Sequence, residues 1–321
     1  MTGEHRMRVI CLAYHLIGQI GLRYLLEETD DEVVAVFSHE DAQGEEVWWP
    51  SVRDVAERSG VPVHTPENIN ETQWVERIAS LRPDFILSFW YRRLVERPIL
   101  RLPHGGCLNL HGSLLPKYRG RAPINWVLVN GEQKTGVTLH YMVLRADAGD
   151  IVGQAVVPID FEDTALSLYR KLADAGLEVL RATWPLLRSG KAPRMPQDET
   201  EASYFGRRTP EDGRFSWDWP ALTIHNLVRA VTHPYPGAFT EYAGRKLFVW
   251  SAYPKPGILR PSAPSPGTVL GVGAEGISVA TGEGALLLRR VQLDGEEELA
   301  GCDFAARHDI DRGFSLRSNR A

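Results

Sequence analysis

Two side chains that can do chemistry lie two positions apart near the middle of the chain. Asn109 carries an amide donor, and His111 carries an imidazole that exchanges protons near neutral pH. The apolar run 107–110 predicts the end of a buried strand. Because successive side chains of a strand point to opposite faces, Asn109 and His111 should share a face. Gly112 and Pro116 end the strand, so the pair is expected at a carboxyl edge, where open α/β sheets bind ligands.

An Asn-x-His pair taken alone is more typical of satisfied polar groups at a strand end. The motifs around it are far more specific. They are the runs 113–123, 136–140 and 145–150, with further motifs at 13–15, 88–94, 205–210 and 234–239. Together they resemble the folate-dependent formyltransferases, a family that includes glycinamide-ribonucleotide, methionyl-tRNA and sugar N-formyltransferases. Within this family the chain most resembles the formyltransferase halves of bifunctional polymyxin-resistance proteins, which formylate UDP-4-amino-4-deoxy-L-arabinose for lipid A modification.

The resemblance implies transfer of a formyl group from 10-formyltetrahydrofolate to an amine, through a tetrahedral intermediate with a negative oxygen. Such a reaction needs an oxyanion donor and a proton acceptor. We assign Asn109 to the first role and His111, as general base, to the second. The resemblance puts Asp147 at the third catalytic position of the family, where its carboxylate would orient the imidazole. A turn aspartate before Gly149 is the alternative interpretation.

The same resemblance implies the contacts of the folate co-substrate, which is expected to lie over the backbone of two short segments with Arg121 beside it. The residues of these segments are Arg93, Leu94 and Val95, and then Val143, Leu144, Arg145, Ala146 and Asp147. Arg207 and Arg208 offer two planar guanidinium groups for the diphosphate of a nucleotide sugar. An adjacent arginine pair is more often a solvated surface. His140 is predicted to be a core or second-layer histidine, and no ligand spacing indicates a metal site.

The loop 39–50 bears on the choice of acceptor. It carries Glu40, Asp41, Glu45 and Glu46 and no Lys or Arg, whereas the resemblance implies a basic loop here in tRNA-formylating relatives. Acidic side chains repel phosphates, and the net charge of −5 gives no general attraction to nucleic acid. A nucleotide sugar is therefore the expected partner. A methionyl-tRNA formyltransferase and a non-catalytic formyltransferase-like binding module are the alternatives. Trp48 and Trp49 are predicted to pack rather than to stack on a sugar.

The chain has 321 residues, 43% of them hydrophobic, which suits two domains. Strands and helices alternate through the first half, which predicts an α/β fold with a Rossmann-like parallel sheet. Short strands separated by Gly and Pro follow, and the resemblance implies a small OB-like β-barrel there. We predict a catalytic domain at 1–200, a barrel domain at 201–305 and a disordered tail at 306–321. The Pro-rich, polar run 193–210 is expected to join the two domains.

Cysteine use and hydropathy bear on the compartment. Cys11, Cys107 and Cys302 are odd in number and far apart, which argues against a disulfide framework. No apolar run has the length of a membrane helix, and the first residues lack the apolar stretch of a signal peptide. We therefore expect a cytoplasmic protein without a membrane span, compatible with a homodimer. The sequence fits both a free-standing formyltransferase and one half of a bifunctional protein.

Overall fold

The computed structural model describes residues 6–41, 47–255 and 264–317. The chain forms two compact units. The first comprises Met1–Pro123, Lys134–Pro158 and Tyr169–Gly206, and the second comprises Ile124–Gln133, Ile159–Leu168 and Arg207–Ala321. This division differs from the predicted boundary after residue 200, because two short segments of the first half group with the C-terminal unit.

The first unit contains most of the alternating strands and helices. Its strands are β1 (Arg8–Ala13), β2 (Glu32–Phe37), β3 (Val63–His64), β4 (Phe85–Phe89), β5 (Cys107–His111), β6 (Arg119–Gly120), β7 (Lys134–Tyr141), β8 (Ile151–Pro158) and β9 (Tyr204–Phe205). The helices of the same half of the chain are α1 (His15–Glu27), α2 (Val52–Arg58), α3 (Thr72–Leu81), α4 (Arg97–Leu100), α5 (Pro123–Val129) and α6 (Ala165–Arg188). A short 3-10 helix spans Glu199–Glu201.

The main sheet has the strand order β3-β2-β1-β4-β5-β7-β8. From β1 to β5 the neighbouring strands are parallel, and β7 and β8 are antiparallel to their neighbours. The central strands β1 and β4 are buried along nearly their whole length, as parallel strands covered on both faces require. The predicted Rossmann-like sheet is confirmed, with an antiparallel extension beyond β5.

Local signals in the sequence fix several element boundaries. The side chain of Ser51 accepts a hydrogen bond from the backbone N–H of Asp54 and so caps the N-terminus of α2. In α6, Leu168, Leu172 and Leu180 are buried, as its apolar stripe predicts. None of the described helices is long and apolar enough to cross a membrane.

The second unit is mainly antiparallel β-structure. Its elements are α7 (Ala221–Val231), β10 (Ala238–Tyr242), β11 (Arg245–Lys255), β12 (Val269–Gly273), β13 (Gly276–Ala280), β14 (Ala285–Leu293), β15 (Leu299–Ala300) and α8 (Gly301–Arg307). The strand order is β10-β11-β14-β13-β12, and β15 pairs with β14. The predicted β-rich C-terminal domain is therefore present as an antiparallel sheet.

The structure corrects the prediction of a disordered tail from residue 306. Beyond α8, Ile310 and Leu316 are buried. The backbone N–H of Leu316 donates to the carbonyl of Gly267 at 2.8 Å, and that of Val269 donates to Phe314 at 2.8 Å. The two buried apolar side chains and these two backbone hydrogen bonds hold the segment in place. Its mostly polar composition gave no sign of this order. The last residues of the predicted tail, 318–321, lie outside the described residues.

Candidate active site

Strand β5 carries Asn109 and His111 between β4 on one side and β7 on the other. Asn109 lies opposite His140 of β7, and His111 lies opposite Thr138. Cross-strand partners point to the same face of a sheet. The structure therefore places Asn109 and His111 on one face, as predicted, and it adds His140 to that face.

Asp147 reaches this face from the loop after β7. Its backbone φ is +54°, in the left-handed region that non-glycine residues rarely adopt. Carboxylate oxygen Oδ1 accepts a hydrogen bond from Asn109 Nδ2 at 3.4 Å and lies 3.7 Å from His111 Nδ1 and 3.5 Å from His140 Nε2. The other oxygen, Oδ2, accepts the backbone N–H of Gly120 at 2.9 Å. One carboxylate thus links β5 and β7 of the sheet to the short strand β6.

The electrostatic surroundings keep this carboxylate charged. Burial by itself would raise the pKa of Asp147. The charge of a protonated His111, the hydrogen bond and charge of a protonated His140 and the N–H of Gly120 outweigh burial and hold this pKa well below its ordinary value. Asp147 is therefore ionised at neutral pH, and it can orient a proton-accepting ring.

His111 is almost fully buried, with 6% of its surface exposed. Its Nε2 lies 2.9 Å from the carbonyl oxygen of Tyr118. Since a carbonyl oxygen only accepts, Nε2 carries a proton, and the lone pair of the neutral ring is on Nδ1. Nδ1 faces Asp147 at 3.7 Å, which is longer than a hydrogen bond. Nδ1 is thus the nitrogen at which His111 can take up a proton.

His140 belongs to the same cluster. Its Nδ1 donates to the carbonyl of Tyr141 at 2.9 Å, and its Nε2 lies 3.3 Å from Asn109 Nδ2. When the ring is protonated, Nε2 also carries a proton and faces the carboxylate of Asp147. The prediction of a core or second-layer histidine fits its burial, but the sequence missed its contact with Asp147. Because its strand neighbours are apolar, the local sequence indicates a packed core position rather than a contact with a carboxylate. Its register opposite Asn109 is set by strand pairing, which the local pattern does not reveal.

The two segments expected to hold the folate are partly exposed. Leu94 is 67% exposed, and Val143 and Leu144 are 45% and 55% exposed, whereas Val95 is buried. Asn70 donates to the carbonyl of Leu94 at 2.9 Å and holds the first segment in place.

The arginines expected near the folate differ in their partners. Arg121 donates to the backbone carbonyl of Arg92 at 3.3 Å, directly beside the expected segment that starts at Arg93. Arg145, in the second segment beside Ala146, forms an ion pair with Glu199 at 2.7 Å.

Arg207 and Arg208 have different surroundings in the second unit. Arg207 is exposed. Arg208 stacks its guanidinium over the ring of Trp126, 4.5 Å from the centroid, and donates to the carbonyl of Asp212 at 2.8 Å. Burial also lowers the pKa of Arg208. The structure therefore leaves Arg207 as the better candidate of the pair for an anionic ligand.

The described part of the acidic loop is tied to the protein itself. Glu40 pairs with Arg53 and accepts the hydroxyl of Thr65, and Asp41 accepts the hydroxyl of Tyr14. Glu45 and Glu46 lie outside the described residues.

The aromatic residues after that loop contact other aromatic rings. Trp49 lies against Tyr14 and His15, and Trp48 lies against Tyr169. These contacts agree with the packing interpretation of both tryptophans. Among the described residues, no group of three or more His, Cys, Asp or Glu is arranged to hold a metal ion.

Two family models match the sequence. One, described as formyl transferase, matches residues 7–183, and the other, described as formyl transferase, C-terminal domain, matches residues 207–309. Together they cover most of the chain. The chain belongs to the formyl transferase family.

Several solved structures share the fold of this formyl transferase. WlaRD, a sugar 3N-formyl transferase in the presence of dTDP and 5-N-formyl-THF, has a TM-score of 0.69 at 18% identity, over 91% of this chain and 100% of that chain. The N-formyltransferase from Helicobacter canadensis, in complex with folinic acid and dTDP-3-aminofucose, has a TM-score of 0.67 at 20% identity, over 88% and 99% of the two chains. At these identities the likeness shows the fold.

A longer protein also matches this formyl transferase. HypX from Aquifex aeolicus, in complex with tetrahydrofolic acid, has a TM-score of 0.61 at 20% identity. The match covers 94% of this chain and 47% of that chain, so this formyl transferase spans about half the length of HypX.

Because the pKa of Asp147 is held below its ordinary value in the folded protein, this side chain should contribute to stability in a pH-dependent way. A carboxyl group with a lowered folded-state pKa stabilises the fold above its unfolded pKa, about 4, and this contribution is lost as the pH falls further. We expect Asp147→Asn to be less stable than the wild type at pH 6, and the difference in urea midpoint to shrink below about pH 4.

Asp150→Asn is the matched control, because Asp150 is a neighbouring carboxylate outside the cluster. Its substitution should change stability by less than about 0.5 kcal/mol at pH 6. A difference between the wild type and Asp147→Asn that stays constant from pH 6 down to about pH 3 would contradict the charged state assigned to Asp147.

Proposed function

We propose that this formyl transferase moves a formyl group from 10-formyltetrahydrofolate to the amine of a nucleotide-linked aminosugar, with UDP-4-amino-4-deoxy-L-arabinose as the leading candidate. With that sugar the protein would act in lipid A modification and polymyxin resistance. The observation that carries the proposal is the convergence of Asn109, His111 and His140 on Asp147 at the carboxyl end of β5. The family match supports the formyl chemistry. Two neighbours named as N-formyltransferases, one with dTDP and one with a dTDP-aminosugar, support the class of acceptor.

Asn109 is the proposed donor to the oxyanion. Its Nδ2 lies 3.4 Å from Asp147 and 3.3 Å from His140, so both internal contacts are long. One N–H can therefore turn to a substrate oxygen without breaking a short bond. A fixed donor of this kind lowers the barrier by about 3 to 4 kcal/mol, because it meets negative charge only as that charge develops.

His111 is the proposed general base, acting through Nδ1. Nε2 already donates to Tyr118, so a proton taken from the amine arrives on the side of Asp147. Once protonated, the ring has an oxygen acceptor beside each nitrogen, the Tyr118 carbonyl and the Asp147 carboxylate. The proton can then pass to the departing folate nitrogen. The carboxylate orients the ring through this exchange and stays ionised.

The exposed apolar side chains of Leu94, Val143 and Leu144 suit a flat, partly apolar molecule such as a folate. Large aliphatic side chains usually pack inside a protein, and three in the two expected segments are exposed. When bound, 10-formyltetrahydrofolate supplies the activated formyl group. The two segments would hold its ring system, and Arg121 would lie beside it.

The acceptor is proposed from charge. A nucleotide sugar presents one diphosphate, which an exposed arginine such as Arg207 can bind with charge-assisted hydrogen bonds. A tRNA needs many phosphate contacts, and the described part of the 39–50 loop offers Glu40 and Asp41 instead. The acidic side chains therefore favour the sugar over tRNA.

A formylation assay with 10-formyltetrahydrofolate tests the proposal. The acceptors are UDP-4-amino-4-deoxy-L-arabinose, a set of dTDP- and GDP-aminosugars, and charged initiator tRNA. We expect turnover with a nucleotide aminosugar and none with tRNA. Formylation of the tRNA alone would replace the proposal with a methionyl-tRNA formyltransferase, and folate binding without turnover of any acceptor would favour a binding module.

The roles of Asn109 and His111 predict losses of rate rather than of affinity. Asn109→Ala should lower kcat about a hundredfold or more, because the oxyanion loses its donor. His111→Ala should lower kcat by a factor of about 100 to 10,000, because the proposed proton acceptor is lost. Both variants should keep binding of 5-formyltetrahydrofolate, measured by calorimetry.

The control for His111 is His104→Ala, since His104 is an exposed histidine that pairs with Asp84 on the same unit. It should keep the wild-type rate. A near-normal rate in His111→Ala would remove His111 from the mechanism, and an unchanged rate in Asn109→Ala would do the same for Asn109.

The different surroundings of Arg207 and Arg208 predict different consequences of substitution. Arg207→Ala should weaken binding of UDP or dTDP by about 1.5 to 3 kcal/mol, the usual worth of a hydrogen bond to a charged group. Arg208→Ala should mainly lower stability, because the stacking on Trp126 and the bond to Asp212 are lost. Calorimetry and urea unfolding measure the two effects. Nucleotide binding that survives Arg207→Ala unchanged would contradict the assignment.

A further inference from the structure

The side chain of Gln197 makes hydrogen bonds through both ends of its amide group, to two different segments of the chain. Its Nε2 donates to the carbonyl oxygens of Asp147 at 2.9 Å and Gly149 at 2.7 Å. Its Oε1 accepts from Arg119 Nε at 3.0 Å and Nη2 at 2.7 Å. A glutamine amide has two N–H groups and two oxygen lone pairs, so its capacity is fully used. Only one orientation of the amide fits, because carbonyls accept and a guanidinium donates.

Arg119, the partner on the other side, is fully buried. Its guanidinium also pairs with Glu199 at 2.8 Å and donates to the hydroxyl of Tyr204 at 2.6 Å. A buried charge is tolerated only when such partners fix it. Its chain neighbours are Tyr118, whose carbonyl accepts from His111, and Gly120, whose N–H donates to Asp147. Gln197 therefore connects the loop of Asp147 to the segment 118–120, which supplies these two contacts.

The backbone conformation of the Asp147 loop has to be stabilised by contacts from outside the loop. Asp147 has a φ of +54°, in the left-handed region that is unfavourable for a residue with a side chain. Gly149 follows, where an added Cβ would lie 1.9 Å from the carbonyl oxygen of Tyr141. Gln197 bonds the carbonyls on both sides of Ala148 and so fixes the peptide planes that aim the carboxylate. The nearby Arg145–Glu199 pair is exposed and adds little.

We propose that Gln197 is a positioning residue for formyl transfer, which holds the Asp147 carboxylate against His111 by tying the Asp147 loop to Arg119. The inference rests on the proposed function, in which Asp147 orients the base. A displacement of a catalytic group by about 1 Å can cost a factor of about 100 in rate. The effect of Gln197 should therefore appear in kcat and depend on Asp147.

Two substitutions remove the donors in different ways. Gln197→Glu keeps the shape and the acceptor for Arg119 but puts carboxylate oxygen against two carbonyls. Gln197→Met keeps the length without any polar group. Glu201→Gln is the matched control, since Glu201 lies in the same segment in an exposed pair with Lys117. Hydrogen exchange should speed up in the peptide covering 142–150 for both Gln197 variants and stay unchanged for the control.

Kinetics with UDP-4-amino-4-deoxy-L-arabinose and 10-formyltetrahydrofolate measure the consequence. We expect both Gln197 variants to lose about 10- to 100-fold in kcat, with KM values within about threefold of the wild type. In an Asp147→Ala background, Gln197→Glu should cost less than about a further twofold, because the group it positions is gone. If Gln197→Glu caused a general structural defect instead, it would lower kcat by the same factor in both backgrounds.

The outcomes separate the two proposals. An Asp147→Ala variant with a near-normal rate overturns the proposed catalytic cluster and the inference with it. A large loss in Asp147→Ala together with a wild-type kcat in both Gln197 variants overturns the inference alone. Unchanged hydrogen exchange at 142–150 in both Gln197 variants also overturns it, whichever acceptor is used. The inference is also overturned if Gln197→Glu lowers kcat by the same factor in the Asp147→Ala background as in the wild type.

Discussion

The arrangement of the site depends on one largely buried carboxylate, that of Asp147, whose side chain is 14% exposed. A carboxylate removed from water is stable only where donors and positive charge replace its hydration. Here the donors are the N–H of Gly120 and the amide of Asn109, and the rings of His111 and His140 add positive charge when they are protonated. These groups belong to β5, β7 and the short strand β6, so they meet only when the first unit is folded. The charge of Asp147 therefore ties the chemistry of the site to the formation of the fold.

The backbone makes these contacts possible through two unusual conformations. Asp147 lies in the left-handed region, and Gly120 has a φ of +99°, with a would-be Cβ only 2.3 Å from the carbonyl oxygen of Phe205. Only glycine fits there, because β6 and β9 pair directly beside it. Strain and close approach at a site are retained where surrounding contacts outweigh their cost. The segment 197–205 supplies many of these contacts, through the pairing of β9 and through the side chains of Gln197 and Glu199.

Local sequence patterns and the family resemblance predicted different parts of the structure. The strand that carries Asn109 and His111 follows from spacing over a few residues, and the structure has it. Asp147 was found through the resemblance, since an Asp before Gly is equally typical of a turn. One prediction needed correction, the disordered tail from residue 306. Polar composition around Ile310 and Leu316 gave no sign that both are buried.

The sequence by itself determined the strand period that puts Asn109 and His111 on one face, and the motifs that identify a formyl transferase. Both are encoded over short distances, because side chains alternate along a strand and turns end at Gly and Pro. Tertiary structure alone decided that His140 joins the cluster, that Arg208 stacks on Trp126, and that Gln197 lies between Asp147 and Arg119. These contacts join residues brought together by strand pairing and loop closure, and no local pattern encodes which distant partner a polar side chain meets.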